Sequence, residues 1–249
     1  MVNKLIILSD IHGNLNALEA VINDFEIRGL KPDGIALLGD IINYGMRPNE
    51  VIERLKEIAD RYEIIVNIFG NHEKALIDGD TTHFSTDRGR SILDYTRKKL
   101  TERSKTYITS FMKREGYMEF EIVGKEILFV HGNIDDPYWG KLNITTFDTP
   151  QYAKYDYVIS GHSHIPHLIE HFFDVDNSEF RNKKRTVFLN PGSVGQPRNH
   201  NPRAQYLFAD FEAEIFHFNS VRYDVGYEQN LYEGAEIDSF YKTRLSNGI

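Results

Sequence analysis

Lys4-Leu5-Ile6-Ile7-Leu8-Ser9-Asp10-Ile11-His12-Gly13-Asn14 is the stretch that decides the fold. An apolar run of this length, rich in Leu and Ile, fills a strand buried on both faces of a parallel sheet. It stops abruptly on Asp10-x-His12. Behind it Leu15, Leu18, Val21, Ile22 and Phe25 recur at helical spacing, and Gly29 stands where a helix ends. The same grammar repeats outward from there. Residues 34–38 form a second apolar run, closed by Gly39-Asp40. Pro48 opens a helix with Val51, Ile52, Leu55, Ile58 and Ala59 on one face. Residues 64–69 form a third run, closed by Gly70-Asn71-His72. Strand–helix–strand–helix–strand predicts a parallel α/β sheet with right-handed crossovers.

Beyond His72 the pattern changes. Residues 73–115 are polar and rich in helix formers, with only Leu93, Leu100, Ile108, Phe111 and Met112 as scattered apolar anchors. They read as a helical insertion after the third strand, a lid with too few apolar residues for a large core. Residues 117–123 and 126–130 read as a hairpin around Gly124-Lys125. Residues 157–160 form one more strand and meet Gly161-His162. From His167 onward, alternating runs at 167–173, 186–189, 206–211 and 215–221 suggest antiparallel strands, with Lys183-Lys184-Arg185 as a solvated turn between two of them. No repeat, low-complexity tract or linker interrupts the chain, so residues 1–249 read as one α/β domain.

Composition narrows the chemistry. Hydrophobic residues make up 41% and charged residues 27%, ordinary for a globular domain. No apolar run approaches the roughly 18 residues of a membrane-spanning helix, and the N-terminal run is too brief for a signal peptide. A cytoplasmic protein without membrane contact is the expectation. Without cysteine, the chain has no disulfides, zinc fingers, iron–sulfur clusters or cysteine nucleophile. A metal site must use His, Asp, Glu or Asn. The excess of 37 acidic over 29 basic residues, net −8, disfavours non-specific nucleic-acid binding.

Five polar clusters each follow an apolar strand: Asp10-x-His12, Gly39-Asp40, Gly70-Asn71-His72-Glu73, His131-Gly132-Asn133 and Gly161-His162-Ser163-His164. The carboxyl ends of strands are where α/β sheets bind ligands. Random order in this composition gives about 0.7 Asp-x-His pairs and about 1.3 Gly-Asp pairs, and a spare copy does occur at Gly79-Asp80. Gly-Asn-His is expected only about 0.05 times and Gly-His-x-His about 0.03 times, so these two carry information. Taken singly, Asp10 and Asp40 read as helix caps, Asn71 as a turn residue, and His131 and His162 as hydrogen-bonded core residues. The ordered set turns them into metal ligands. Mixed Asp/His/Asn donors suit manganese, iron, zinc or nickel rather than magnesium or calcium. A carboxylate between two cations can bridge them. Glu73 reads as a first-turn helix acid. His83, His167, His171, His200 and His217 have no partner motif and read as surface or packing positions.

This ordered set resembles the calcineurin-like metallophosphoesterase superfamily over residues 5–200. The segment Asn190-Pro191-Gly192-Ser193-Val194-Gly195-Gln196-Pro197-Arg198 resembles the stretch that follows the metal motifs in its small prokaryotic branch, which holds phosphodiesterases and diadenosine tetraphosphatase-like enzymes. The resemblance implies two mixed β-sheets packed as a sandwich and flanked by helices. It implies that Asp10, His12 and His164 hold one divalent transition-metal ion, manganese foremost. Asn71, His131 and His162 would hold a second, with Asp40 bridging and His72 as the non-ligand catalytic histidine at the scissile ester. The activity implied is hydrolysis of a small phosphate mono- or diester by a metal-bound hydroxide. The alternative is a non-catalytic protein-interaction scaffold of the same fold, although such scaffolds have lost ligands that this chain keeps. Two departures stand out. Ile41-Ile42-Asn43-Tyr44-Gly45 follows Asp40 where many relatives carry an arginine, leaving Arg198 as the substitute phosphate-binding candidate, and Glu73 replaces the usual Asp. Other metal and phosphoryl chemistries fit less well. A covalent aspartyl phosphatase needs a second Asp where His12 stands, an amidohydrolase needs His-x-His on the first strand, and a metallo-β-lactamase needs His-x-His-x-Asp-His.

Overall fold

The computed structural model describes residues 2–143 and 145–249. In chain order, β1 (Lys4–Leu8), α1 (Leu15–Ile27), β2 (Gly34–Leu37), α2 (Pro48–Ala59) and β3 (Ile64–Asn67) come first. Three helices follow, α3 (Asn71–Asp78), α4 (Asp87–Lys99) and α5 (Glu102–Phe111), and then the hairpin β4 (Tyr117–Ile122) and β5 (Lys125–Val130). The remainder is β6 (Tyr157–Ser160), β7 (His167–Asp174), β8 (Lys183–Asn190), β9 (Ala204–Asp210), β10 (Ile215–Val221), α6 (Val225–Asn230) and α7 (Phe240–Asn247).

The strands form two mixed five-stranded sheets, ordered β10-β9-β1-β2-β3 and β4-β5-β6-β8-β7. β1, β2 and β3 run parallel, as do β5, β6 and β8, while β9, β10, β4 and β7 pair antiparallel. The continuous apolar character of β1 now has a cause. Leu5 and Ile7 face the other sheet, meeting Phe129, Ile159 and Leu189, whereas Ile6 and Leu8 face α1 and α2. A strand covered on both sides has no polar face to show. The chain is therefore an α/β sandwich of two mixed sheets with flanking helices. Among the described residues, no helix is long and apolar enough to cross a membrane.

Three details differ from the sequence expectation. Four of the five apolar anchors expected in this region turn inwards, while Phe111 is exposed. Leu93, Leu100, Ile108 and Met112 join the core shared with α1 and α2, so these helices are more than a loose cover. Lys183, Lys184 and Arg185 open β8 instead of forming a turn. Each is neutralised there, Lys183 by Asp174 across the strands, Lys184 by Asp156, and Arg185 by Glu170 and Glu214. Helices α6 and α7 lie where no helix was expected, because their contacts are short and mostly aromatic. Tyr232, Tyr241 and Leu245 pack on Ile92 of α4 and on Met46.

Candidate metal centre

All five polar clusters converge at one edge of the sandwich, where β1, β2, β3, β5 and β6 end. Main-chain hydrogen bonds carry the strand pairing into the loops. Asp10 N–H donates to Gly39 O at 3.1 Å and His12 N–H to Asp40 O at 2.9 Å, and Gly161 N–H does the same for His131 O at 3.0 Å. The 190–198 segment clamps the first loop, with Val194 and Gly195 N–H on the carbonyls of Ser9 and Asp10, and Ser193 Oγ on Asp10 O. Asp10, His12, Asp40, His162 and His164 all sit at positive φ, between 49° and 60°. Such backbone costs about 1–3 kcal/mol per residue and persists only where surroundings enforce it. Two glycines explain how the loops fit. Any Cβ on Gly70 would lie 2.1 Å from Asp40 Oδ1, and one on Gly39 would lie 2.3 Å from Gly70 N.

The side chains fall into two groups that share one residue. Asp10, His12, Asp40 and His164 form the first; Asp40, His131 and His162 form the second. Asn71 completes the second, its Oδ1 lying 3.0 Å from both His131 Nε2 and His162 Nδ1. Three imidazoles are turned by the same device. Nδ1 of His12, His131 and His164 donates to the carbonyl of Ile42 (3.1 Å), Leu38 (2.7 Å) and Gln196 (2.5 Å). A proton fixed on Nδ1 leaves Nε2 a bare lone pair, the usual arrangement of a ligating histidine. His12 and His164 then point Nε2 at each other across 3.2 Å, a repulsive pairing that a cation reverses.

The carboxylates show the same polarity. Ser9 Oγ and His162 N–H hold Asp10 Oδ2, and His72 N–H holds Asp40 Oδ1 at 2.8 Å. Asp10 Oδ1 and Asp40 Oδ2 are buried without a hydrogen-bond partner. Asp40 Oδ2 lies 3.3 Å from His131 Nε2 and 3.8 Å from both His12 and His72 Nε2. An unpartnered buried carboxylate oxygen is costly unless a cation compensates it. Burial favours protonation of both acids, but the surrounding imidazoles outweigh it and hold their pKa values far below the usual range. Burial keeps His12, His72, His162 and His164 neutral, with His72 down at about 4 and His162 at about 3. These donors fit divalent metal.

Glu73 occupies the first turn of α3, as expected, and does more there than oppose the helix dipole. Its buried carboxylate accepts from the N–H groups of Asp40 (2.7 Å), Ile41 (2.9 Å), Ile42 (3.2 Å) and Gly70 (2.8 Å), tying two site loops together. His72 lies beside the first group, its ring 5.0 Å from that of His12. Asn43 Nδ2 lies 2.6 Å from its Nδ1, and Asn43 Oδ1 meets Thr96 Oγ1 of α4 at 2.9 Å. Arg198 lines the cavity above the two groups together with Tyr44, His72 and His162.

Sequence reasoning missed several residues of this cavity and of the shell behind it. Asn43 and Tyr44 stand within the flagged departure after Asp40, and that departure was the available signal. His83, read as a surface or packing position, stacks on Trp139 at 4.7 Å and lines the cavity, and Arg88 and Arg244 line it too. No motif joins these residues, which come from four distant segments.

A two-sheet sandwich that gathers Asp, His and Asn at its strand ends fits a metal-dependent hydrolase. Residues 4–214 match the calcineurin-like phosphoesterase superfamily domain, and the chain belongs to that superfamily. It is 30% identical over 236 residues to the uncharacterized protein MJ0912 of Methanocaldococcus jannaschii, covering 90% of each chain. It is 26% identical over 216 residues to phosphodiesterase YfcE of Escherichia coli K12, covering 83% of this chain and 87% of YfcE. The crystal structure of a metallophosphoesterase from Sphaerobacter thermophilus superposes with a TM-score of 0.76 at 28% identity, covering 100% of both chains.

Proposed function

We propose that the chain hydrolyses phosphate mono- or diesters at a pair of divalent metal ions. One observation carries this reading. Asp40 Oδ2 is buried, has no hydrogen-bond partner, and belongs to both ligand groups at once. Asp10, His12 and His164 then hold one ion, Asn71, His131 and His162 the other, and Asp40 both. Manganese is the ion proposed, with iron, zinc and nickel sharing the same ligand preferences. When bound, such a pair polarises a phosphoryl oxygen and lowers the pKa of water enough to yield a nucleophile at neutral pH.

The chain's own residues supply the rest. Two ions (+4) less two carboxylates (−2) leave a formal +2 at the floor of the cavity, so a small phosphate ester is drawn in despite the net charge of −8. Arg198 adds a guanidinium above that floor to bind phosphoryl oxygens. His72 acts as proton donor to the leaving oxygen. Asn43 holds its Nδ1 and leaves Nε2 turned towards Asp40 and the cavity. Burial keeps His72 neutral in the free protein, and an anionic ester beside it favours the charged, proton-donating form. The phosphodiesterase activity in the name of YfcE supports the reaction type.

The test is turnover of bis(p-nitrophenyl) phosphate by chelator-stripped protein. Activity should be absent and should return with Mn²⁺. Full activity in the stripped protein contradicts the proposal.

A further inference from the structure

The cavity above the metal centre holds about 510 Å³, within the range of small-molecule sites and far more than one phosphoryl group fills. Its charge is one-sided. Arg88, Lys141, Arg198 and Arg244 line it, and Asp40 is the only acidic residue on its wall among the described residues. Nine other arginines (28, 47, 54, 61, 90, 97, 103, 114 and 185) each pair with a carboxylate. The remaining three, Arg181, Arg203 and Arg222, are exposed to water. Of the cavity arginines, Arg198 has no carboxylate partner among the described residues, Arg88 is exposed at the rim, and Arg244 is held through its Nε by an Ile249 oxygen.

Arg244 is the most constrained of them. It is 7% exposed, and its Nε donates to Ile249 O at 2.6 Å. Its guanidinium carbon lies 4.9 Å from the Phe240 ring centre and 5.6 Å from that of Tyr44. Burial first, and then the like charge of Arg198, push its pKa down to about 10, which leaves it cationic at neutral pH. Arg198 has a buried Nε without a partner. Arg88 sits at the rim over the face of Phe240, 3.9 Å from the ring centre. These guanidiniums line the way from the metal floor to the mouth of the cavity. With Lys141 and the +2 of the loaded floor they make a formal +6. A diester monoanion or a monoester dianion leaves most of that unmatched.

We propose that Arg244 and Arg88 bind a second phosphoryl group of the substrate, one that is not attacked, while Arg198 serves the group at the metals. The substrate class is then a compound with two or more linked phosphoryl groups. This deepens the phosphoesterase reading above and rests on it. Part of the wall that makes the selection belongs to this chain's C-terminal part, while Arg88 comes from α4. Phe240, Tyr241 and Arg244 come from α7, beyond the residues 4–214 that match the family domain.

The experiment is calorimetric titration of Mn²⁺-loaded protein with AMP and with the non-hydrolysable α,β-methylene-ADP, run beside turnover of bis(p-nitrophenyl) phosphate. The two-phosphoryl ligand should bind at least tenfold more tightly than AMP. Arg244→Gln and the rim variant Arg88→Gln should each remove most of that ratio, and weaken α,β-methylene-ADP far more than they slow bis(p-nitrophenyl) phosphate. Should Arg244→Gln fail to fold, Arg88→Gln still decides. Equal affinity for the two ligands in a protein that turns over the diester overturns the second-phosphoryl site and leaves the phosphoesterase reading intact. Discrimination without any turnover supports the site and refutes the hydrolytic reading instead.

Discussion

The floor and the wall of the same cavity are built in opposite ways. The floor is polar, buried and made of main-chain turns that directly end β1, β2, β3, β5 and β6. Its residues have little freedom, since strand pairing, left-handed backbone and the Glu73 carboxylate all fix them. The wall is assembled from residues 83–89, 139–141, 198 and 240–244, drawn from loops and short helices, and uses aromatic stacking and guanidinium groups. The contrast separates a floor held by strand pairing and main-chain hydrogen bonds from a wall built of side chains on loops and short helices.

The sharpest way to break this contrast is at the shared carboxylate. Asp40→Asn keeps the shape and removes the charge common to both ligand groups. Activity on bis(p-nitrophenyl) phosphate should fall by at least about 10³-fold, the several kcal/mol a metal ion contributes. Asp80→Asn, in the exposed spare Gly-Asp pair, should change it little. Similar losses in both variants would remove the distinction between the two motifs.

His72→Gln should cost about 10²–10⁴-fold on alkyl esters, the usual contribution of a proton donor. The loss on p-nitrophenyl esters should be much smaller, because p-nitrophenolate leaves unaided. Equal losses on both would mean that His72 only positions its neighbours.

Glu73→Gln tests the floor's scaffolding without touching a proposed ligand. An amide NH₂ would then face backbone N–H donors, a mismatch worth about 1–3 kcal/mol. The melting temperature should drop by about 5 °C, with weaker metal retention. An unchanged melting curve would mean the four N–H bonds matter little.

Acidification gives the smallest effect and separates floor from wall again. In metal-stripped protein, burial holds His12, His72, His162 and His164 below the ordinary 6.5. They stay neutral in the fold and gain protons in the unfolded chain. Their contribution is fully present above about pH 6.5 and is lost as pH falls towards 4. His131 and Glu73 run the other way: Asp40 overcomes burial and holds His131 up at about 9, so its effect lies at higher pH, while burial raises Glu73 to about 7 and offsets part of the loss below pH 7. Thermal melts of stripped protein should therefore decline from pH 7 to pH 4. A rise over that window would overturn the protonation pattern.

What was legible in the sequence follows the same division. The buried strands announced themselves because two covered faces demand unbroken apolar runs, and the floor because each run ended in a rare Gly-Asn-His or Gly-His-x-His signature. Arg88, Trp139 and Arg244 share no spacing, so only the folded chain brings them together. Lys183–Arg185 misled for a related reason. Three cations in a row resemble a solvated turn until the register supplies Asp174, Asp156, Glu170 and Glu214 as partners. The helices of residues 71–111 hid their contribution to the core because their apolar residues are few and widely spaced in the sequence.

The most direct test of a shared carboxylate between two ions is the metal content of the wild-type protein, stripped, reloaded with Mn²⁺, desalted and measured by elemental analysis against chain concentration. Two ions per chain are expected, falling to one or fewer in Asp40→Asn. A wild type that retains a single ion, or an Asp40→Asn variant that keeps two, contradicts it.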